Sequence, residues 1–74
     1  MKLSAEKLHA YGQLIFGYYW RAPMALVLGV NERSIRRYAE NGMTLNDDQR
    51  IRLLKEISAR RDRLTDLEEE LDLT

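Results

Sequence analysis

The segment from residue 21 to residue 40 constrains the fold more than any other part of the chain. Gly29 can end a helix because it has no Cβ, and Asn31 can cap the next helix by accepting a backbone N–H two or three residues on. Ala25 is small enough to let a second helix approach the first. Apolar residues face one side of both stretches: Met24, Leu28, Val30, Ile35 and Tyr38. The segment therefore predicts two helices that cross through a tight turn.

Residues 21 to 40 resemble the helix-turn-helix motif of bacterial and phage regulators of the repressor and Cro type. The resemblance lies in the small, glycine and apolar positions of the segment. A looser resemblance to small prophage-type regulators covers residues 16 to 20 before the motif and Asn41-Gly42 after it. The family implies that the second helix, residues 32 to 40, enters the major groove of double-stranded DNA.

The exposed face of this second helix would then carry the residues that contact DNA. A helical wheel turns Ile35 and Tyr38 inward and leaves the charged residues outward. A planar guanidinium can pair bidentately with guanine or with a phosphate. We expect Arg33 and Arg36 to contact bases and Arg37 to contact a phosphate. A solvated helix face is the alternative for these arginines. The predicted DNA-binding residues are Asn31, Glu32, Arg33, Ser34, Arg36 and Arg37.

Residues 34 to 42 also resemble the start of winged-helix activators of the mercury-resistance type, which likewise dimerise through a long terminal helix. Such activators need a two-stranded wing after the motif. Only three residues separate Gly42 from the next helix cap at Asn46, which leaves no room for that wing. The wingless repressor interpretation is therefore preferred.

The charges of the chain are segregated although their sum is zero. Residues 1 to 63 contain 12 Lys and Arg against 7 Asp and Glu, which is an excess of five positive charges. Residues 64 to 74 contain only acidic charges: Asp66, Glu68, Glu69, Glu70 and Asp72. Phosphate binding depends on the local face more than on the total, so neutrality does not exclude DNA as a partner.

The length and composition of the chain narrow the class of protein. With 74 residues, one small domain offers too little interior for a dedicated catalytic cleft, so we expect no enzyme. The chain has no cysteine, and its single His9 is more typical of a surface or packing residue than of a ligand. We therefore expect no metal and no cofactor. No stretch resembles a signal or membrane segment, which predicts a cytoplasmic protein.

A first helix is predicted to begin after Ser4, to end near Gly17 and to cover the back of the motif. Pro23 fits the first turn of the following helix, where its missing N–H would have no partner. The predicted apolar stripe of the first helix comprises Leu8, Tyr11, Leu14, Ile15 and Tyr18. The aromatic residues Tyr11, Tyr18, Tyr19 and Trp20 are expected to fill the core around the motif.

The last helix is predicted from about residue 47 to residue 72, with Asn46 as its cap and Gln49 at the capping-box position. It would be about 39 Å long, which is more than so small a domain can cover. The predicted fold is therefore all-α, with about four helices in a single domain. Residues 1 to 45 form its helix-turn-helix core, and residues 46 to 74 form a long C-terminal helix.

The apolar residues of this last helix suggest two contacts. Ile51 and Leu54, together with Leu53 and Ile57, are predicted to pack on the motif. A heptad seam, interrupted by Arg60, runs along the helix from Leu53. It predicts dimerisation through Ile57, Leu64, Leu67 and Leu71. Basic residues precede the acidic block in this helix. An antiparallel or crossing pair of these helices is therefore favoured, because it would bring basic segments onto acidic ones. The alternative is a tail that folds back on the first helix of its own chain.

Together these features predict a sequence-specific regulator of transcription that binds double-stranded DNA. We expect a repressor that acts as a homodimer on a palindromic operator and does not associate with membranes. The alternative function is a protein-interaction module, such as an antitoxin or phage adaptor. In that case the acidic C-terminal helix would bind a protein partner.

Overall fold

Four helices and one pair of two-residue strands make up the computed structural model, which describes residues 1–73. The prediction of an all-α fold with four helices and a long C-terminal helix is confirmed. The strands are β1 (Lys2–Leu3) and β2 (Met43–Thr44). The helices are α1 (Ala5–Phe16), α2 (Arg21–Leu28), α3 (Glu32–Asn41) and α4 (Asp47–Asp72).

Three of the four helices start at a side-chain cap, as the sequence predicts. Ser4 Oγ accepts the backbone N–H three residues on at 3.1 Å, and Asn31 Oδ1 does the same at 2.8 Å. At the start of α4, Asn46 Oδ1 accepts the N–H of Gln49 at 2.8 Å, and Gln49 Oε1 accepts the N–H of Asn46 at 3.1 Å. This reciprocal capping box satisfies two donors that the helix itself leaves unpaired.

The first three helices each end at a glycine. Gly29 adopts the left-handed conformation at φ 71° and ψ 33°, and the N–H of Val30 then returns to the carbonyl of Ala25 at 3.0 Å. Gly42 lies so close to the N-terminal strand that a Cβ there would be 2.7 Å from the carbonyl oxygen of Leu3. The predicted ends of α1, α2 and α3 are therefore confirmed.

A short antiparallel strand pair closes the domain, and the sequence gives no sign of it. Lys2 is opposite Thr44 and Leu3 is opposite Met43. The backbones of Met1 and Leu45 extend the pairing with hydrogen bonds of 3.0 and 2.8 Å. Two-residue strands are too short to show an alternating pattern. The pair ties the start of the chain to the connection between α3 and α4.

One hydrophobic core holds α1, α2, α3 and the start of α4 together. Its largest fully buried side chains are Leu8, Trp20, Met24 and Ile35. Leu28 and Ala25 are also buried, so the inward positions predicted for the motif are correct. Val30 and Tyr38 are half-buried against the same core.

Part of the predicted stripe of α1 is wrong. Leu14 is 86% exposed, and Tyr18 and Tyr19 are 79% and 83% exposed rather than in the core. Leu14 lies about 120° from Leu8 around the helix, on a side that no other helix covers. The two tyrosines follow Gly17 and therefore belong to the turn between α1 and α2, outside the periodicity of the helix.

Only one face of the first turns of α4 packs on the domain. Leu53 is buried, whereas Ile51 and Leu54 are 44% and 51% exposed, so the prediction that these two pack on the motif is wrong. At Arg60 the guanidinium lies 4.7 Å from the centre of the Phe16 ring at the end of α1. From residue 61 to residue 73 every residue is exposed. The tail therefore projects as a continuous helix and does not fold back on α1.

Candidate nucleic-acid interface

Helix α3 presents a charged face to solvent because its opposite face is held in the core. Ile35 is fully buried and Ala39 nearly so, and α3 packs there against both α1 and α2. The residues that point away from this contact are all exposed. They form what is called here the α3 face: Glu32, Arg33, Arg36, Arg37 and Glu40.

The three arginines of the α3 face have their guanidinium groups available for a ligand. Within residues 1–73 the ion pairs involve other arginines, Arg52 with Asp48 and Arg60 with Glu56 along α4. The guanidinium of Arg37 lies 5.6 Å from the centre of the neighbouring Tyr38 ring, which restricts its direction. A short rigid helix with three cations on one side suits the recognition of an anionic surface.

The six residues predicted to bind DNA are adjacent in the structure but differ in what they do locally. Asn31 uses its side-chain oxygen to cap α3, and Ser34 is the half-buried residue whose N–H it accepts. Glu32 is exposed in the first turn. The arginines therefore supply the charged donors of this surface, whereas the side-chain oxygen of Asn31 fixes the start of the helix that carries them.

A shallow groove adjoins the start of the α3 face and was not found from the sequence. It brings Tyr18, Tyr19 and Arg21 together with Glu32, although these residues come from two separate segments. The two tyrosine rings pack edge to face with centres 4.9 Å apart, and both remain exposed. Arg21 is the first residue of α2 and lies 5.1 Å from the Trp20 ring. The signal in the sequence was Gly17, which places the tyrosines in a turn.

His9 has a packing role, as its position beside the apolar stripe suggests. Its Nε2 lies 3.2 Å from the carbonyl oxygen of Ala39. Its ring meets the indole of Trp20 edge to face, with centres 5.1 Å apart. The half-buried imidazole therefore links α1 to α3 and helps fix the orientation of the α3 face.

The residues predicted to mediate dimerisation are exposed on the projecting part of α4. The exposed fractions are 40% for Ile57, 65% for Leu64, 49% for Leu67 and 66% for Leu71. Leu53, the first member of the proposed seam, is buried in the domain instead. The apolar seam available to another molecule therefore begins at Ile57.

Comparison with protein-family models, with curated proteins and with solved structures gives no match. The resemblance of residues 21 to 40 to repressor and Cro-type regulators therefore stays a prediction. Within residues 1–73, no helix combines the length and the apolar character that crossing a membrane requires.

Proposed function

We propose that this protein is a sequence-specific regulator of transcription that inserts α3 into the major groove of double-stranded DNA. The observation that carries the proposal is the α3 face, where three arginines that form no ion pair within residues 1–73 lie on one side of a capped helix. That helix follows α2 through a three-residue turn and is fixed from behind by Ile35. Such an arrangement suits a helix that reads base edges.

Each arginine has a distinct role in the proposed complex. Arg33 and Arg36 are one turn apart and pair with bases, each through the two parallel donors of its guanidinium. Arg37, whose side chain lies along Tyr38, contacts a phosphate. Arg21 and the exposed tyrosines of the adjoining groove contact the DNA backbone beside that phosphate. These contacts fix the register of α3 on the DNA but do not distinguish one base sequence from another.

Within one copy of the chain, the acidic end of α4 is separated from the core. Asp66, its first acidic residue, follows the buried Leu53 by 13 positions, or about 20 Å along the helix axis. This separation is about twice the Debye length at physiological salt, so the two regions are largely screened from one another. The local field that acts on DNA is then set by the α3 face itself, where three arginines outnumber two glutamates.

A homodimer completes the proposed function. One short recognition helix contacts few base pairs, whereas two helices related by a twofold axis match a palindrome with half-sites about 34 Å apart. The exposed leucines of α4 supply an apolar seam for that pairing. Such a dimer would act in the cytoplasm as a repressor. It would occupy an operator and block RNA polymerase.

Selection of binders from a random duplex library tests the proposal, followed by fluorescence anisotropy on the selected site across a salt series. We expect a palindromic site and a steep loss of affinity with salt. Arg33→Ala and Arg36→Ala should each weaken binding to that site by between about 5-fold and 150-fold. Lys55→Ala removes one exposed positive charge from α4 and serves as the control. Sequence-blind binding, or arginine variants that bind like the control, would contradict the proposal.

An interaction module is the second candidate function, and the exposed tail favours it. Residues 61–73 are exposed throughout and combine leucines with acidic side chains, which is a surface that a protein partner could bind. Replacing Leu64, Leu67 and Leu71 by Ser should then abolish partner binding. The affinity of a single domain for DNA should stay unchanged. The two functions can coexist, since the α3 face and the tail do not overlap.

A further inference from the structure

An open apolar groove runs between α1 and the projecting part of α4, away from the α3 face. One wall comes from α1 and the other from successive turns of α4, and the buried side chains of Leu3 and Leu45 also line it. This surface, called here the α1/α4 groove, contains Leu14, Ile15, Leu54, Ile57, Leu64 and Leu67. Leu14, which was predicted to face the core, therefore forms part of one wall of this groove.

The charges that border the α1/α4 groove are mostly positive. Arg50, Arg60, Arg61 and Arg63 line it, and Glu68 is the acidic residue that joins them. An occupant that matches this groove is a helix with apolar residues at a spacing of three and four and carboxylates beside them. Residues 64–72 of the chain have this composition, with Leu64, Leu67 and Leu71 among five acidic side chains.

We propose that the α1/α4 groove binds the C-terminal part of α4 from a second copy of the chain, with the two α4 helices antiparallel. Antiparallel packing brings the acidic end of each helix onto the arginines that border the other groove, whereas parallel packing would place acid beside acid. The pairing also gives the projecting residues 61–73 the tertiary contacts that a helix of that length needs in water.

The proposed register of this antiparallel pair places Leu64 at the twofold axis. With Leu64 at the twofold axis, Ile57 faces Leu71 of the partner subunit, and Arg60 faces Glu68 of the partner subunit. The two copies of Leu53, where each helix leaves its own core, are then 22 residues apart along the pair, or about 33 Å. The paired helices therefore hold the two domains apart, one at each end of the pair. The pairing refines the homodimer of the proposed function.

Cysteine crosslinking without DNA tests this arrangement, because the chain contains no cysteine of its own. Ile57→Cys and Leu71→Cys are purified separately, with one isotope-labelled because the two variants have equal mass. They are then mixed and oxidised, and the products are identified by mass spectrometry. We expect the mixed disulfide to dominate over either symmetric one. Leu26→Cys, on the exposed side of α2, is the control for disulfides that form by random collision. It should stay largely reduced.

Two crosslinking results would overturn the proposal. Symmetric disulfides at both positions would indicate a parallel pair, and yields no higher than that of Leu26→Cys would indicate that the helices do not pair. Either result can occur while the α3 face still binds DNA, so this test is independent of the one that decides the proposed function.

Sedimentation of a groove variant tests the contribution of α1 separately. Leu14→Asp should raise the dissociation constant of the dimer by about tenfold or more, since an unpaired carboxylate would be buried against the partner. Leu26→Asp is the matched control, because Leu26 is 82% exposed and Leu14 is 86% exposed. Circular dichroism checks that both variants remain folded. Equal dissociation constants for the two variants would exclude α1 from the interface.

Discussion

Gly12 is predicted to be a position where the usual preference of helices for alanine is reversed. In an exposed helix interior, replacing Gly by Ala stabilises a protein by about 1 kcal/mol, because glycine loses more backbone entropy on folding. Gly12 lies in the middle of α1 but is buried, and the indole of Trp20 packs directly on it. We expect Gly12→Ala to destabilise the fold.

The size of the effect follows from the contact with Trp20. A Cβ on Gly12 would lie 2.8 Å from Trp20 Cγ and closer still to Cδ2 and Cε3, whereas ordinary contact begins near 3.4 Å. The ring is 1% exposed and cannot move without displacing the core. Overpacking of this kind costs about 3 kcal/mol at its upper end. Subtracting the gain of about 1 kcal/mol in helix propensity leaves a net loss of about 2 kcal/mol.

Urea and thermal unfolding measure this loss, and Trp20 reports on it directly because it is the single tryptophan of the chain. A loss of about 2 kcal/mol should lower Tm by about 10 °C in a domain of this size. Gln13→Ala, at the adjacent exposed position of α1, should change the free energy of unfolding by less than about 0.5 kcal/mol. Protein concentrations must be equal, since dimerisation would raise apparent stability. A Gly12→Ala variant as stable as the wild type would refute the reasoning.

Substitutions at three further positions address the start of α3, the core and the DNA backbone contact. Asn31→Ala removes the acceptor for the N–H of Ser34 and should lower the free energy of unfolding, measured in urea, by about 1 kcal/mol. Asn31→Gly should lower it by only a few tenths of a kcal/mol. Equal losses for the two variants would argue against the cap. Ile35→Ala leaves a cavity at a fully buried site and should cost about 2–5 kcal/mol by the same assay, so a loss below 1 kcal/mol would contradict the burial. Arg21→Ala should weaken binding to all DNA sequences alike and reduce the slope of affinity against salt by about 1; an altered base preference would instead make Arg21 a reader.

The boundaries of the helices could be predicted from the sequence because each depends on a few adjacent residues. The caps at Ser4, Asn31 and Asn46 act over three positions, and Gly29 ends α2 through its own backbone conformation. The same holds for the α3 face, since the inward position of Ile35 fixes the outward position of the arginines one or two residues away. No knowledge of the remaining fold was needed for these predictions.

The surfaces that α1 and α4 leave uncovered could not be predicted in this way. Leu53 and Leu54 are both apolar and adjacent, and only the rotation of α4 against α2 decides which one is buried. Leu14 has the composition of a core residue but lies where no other helix covers α1. The α1/α4 groove arises from two segments some forty residues apart, and so does the strand pair between Leu3 and Met43.

The sequence by itself determined where the helices of this protein begin and end and which side of α3 is charged, because hydrogen-bond caps and helical periodicity are local. Only the tertiary structure decided which apolar residues of α1 and α4 are buried and which remain exposed. It also placed Arg21 and Glu32 in the lining of one groove at the start of the α3 face. The physical reason is that burial depends on which other element covers a face, and the orientation of packed helices is a property of the whole fold.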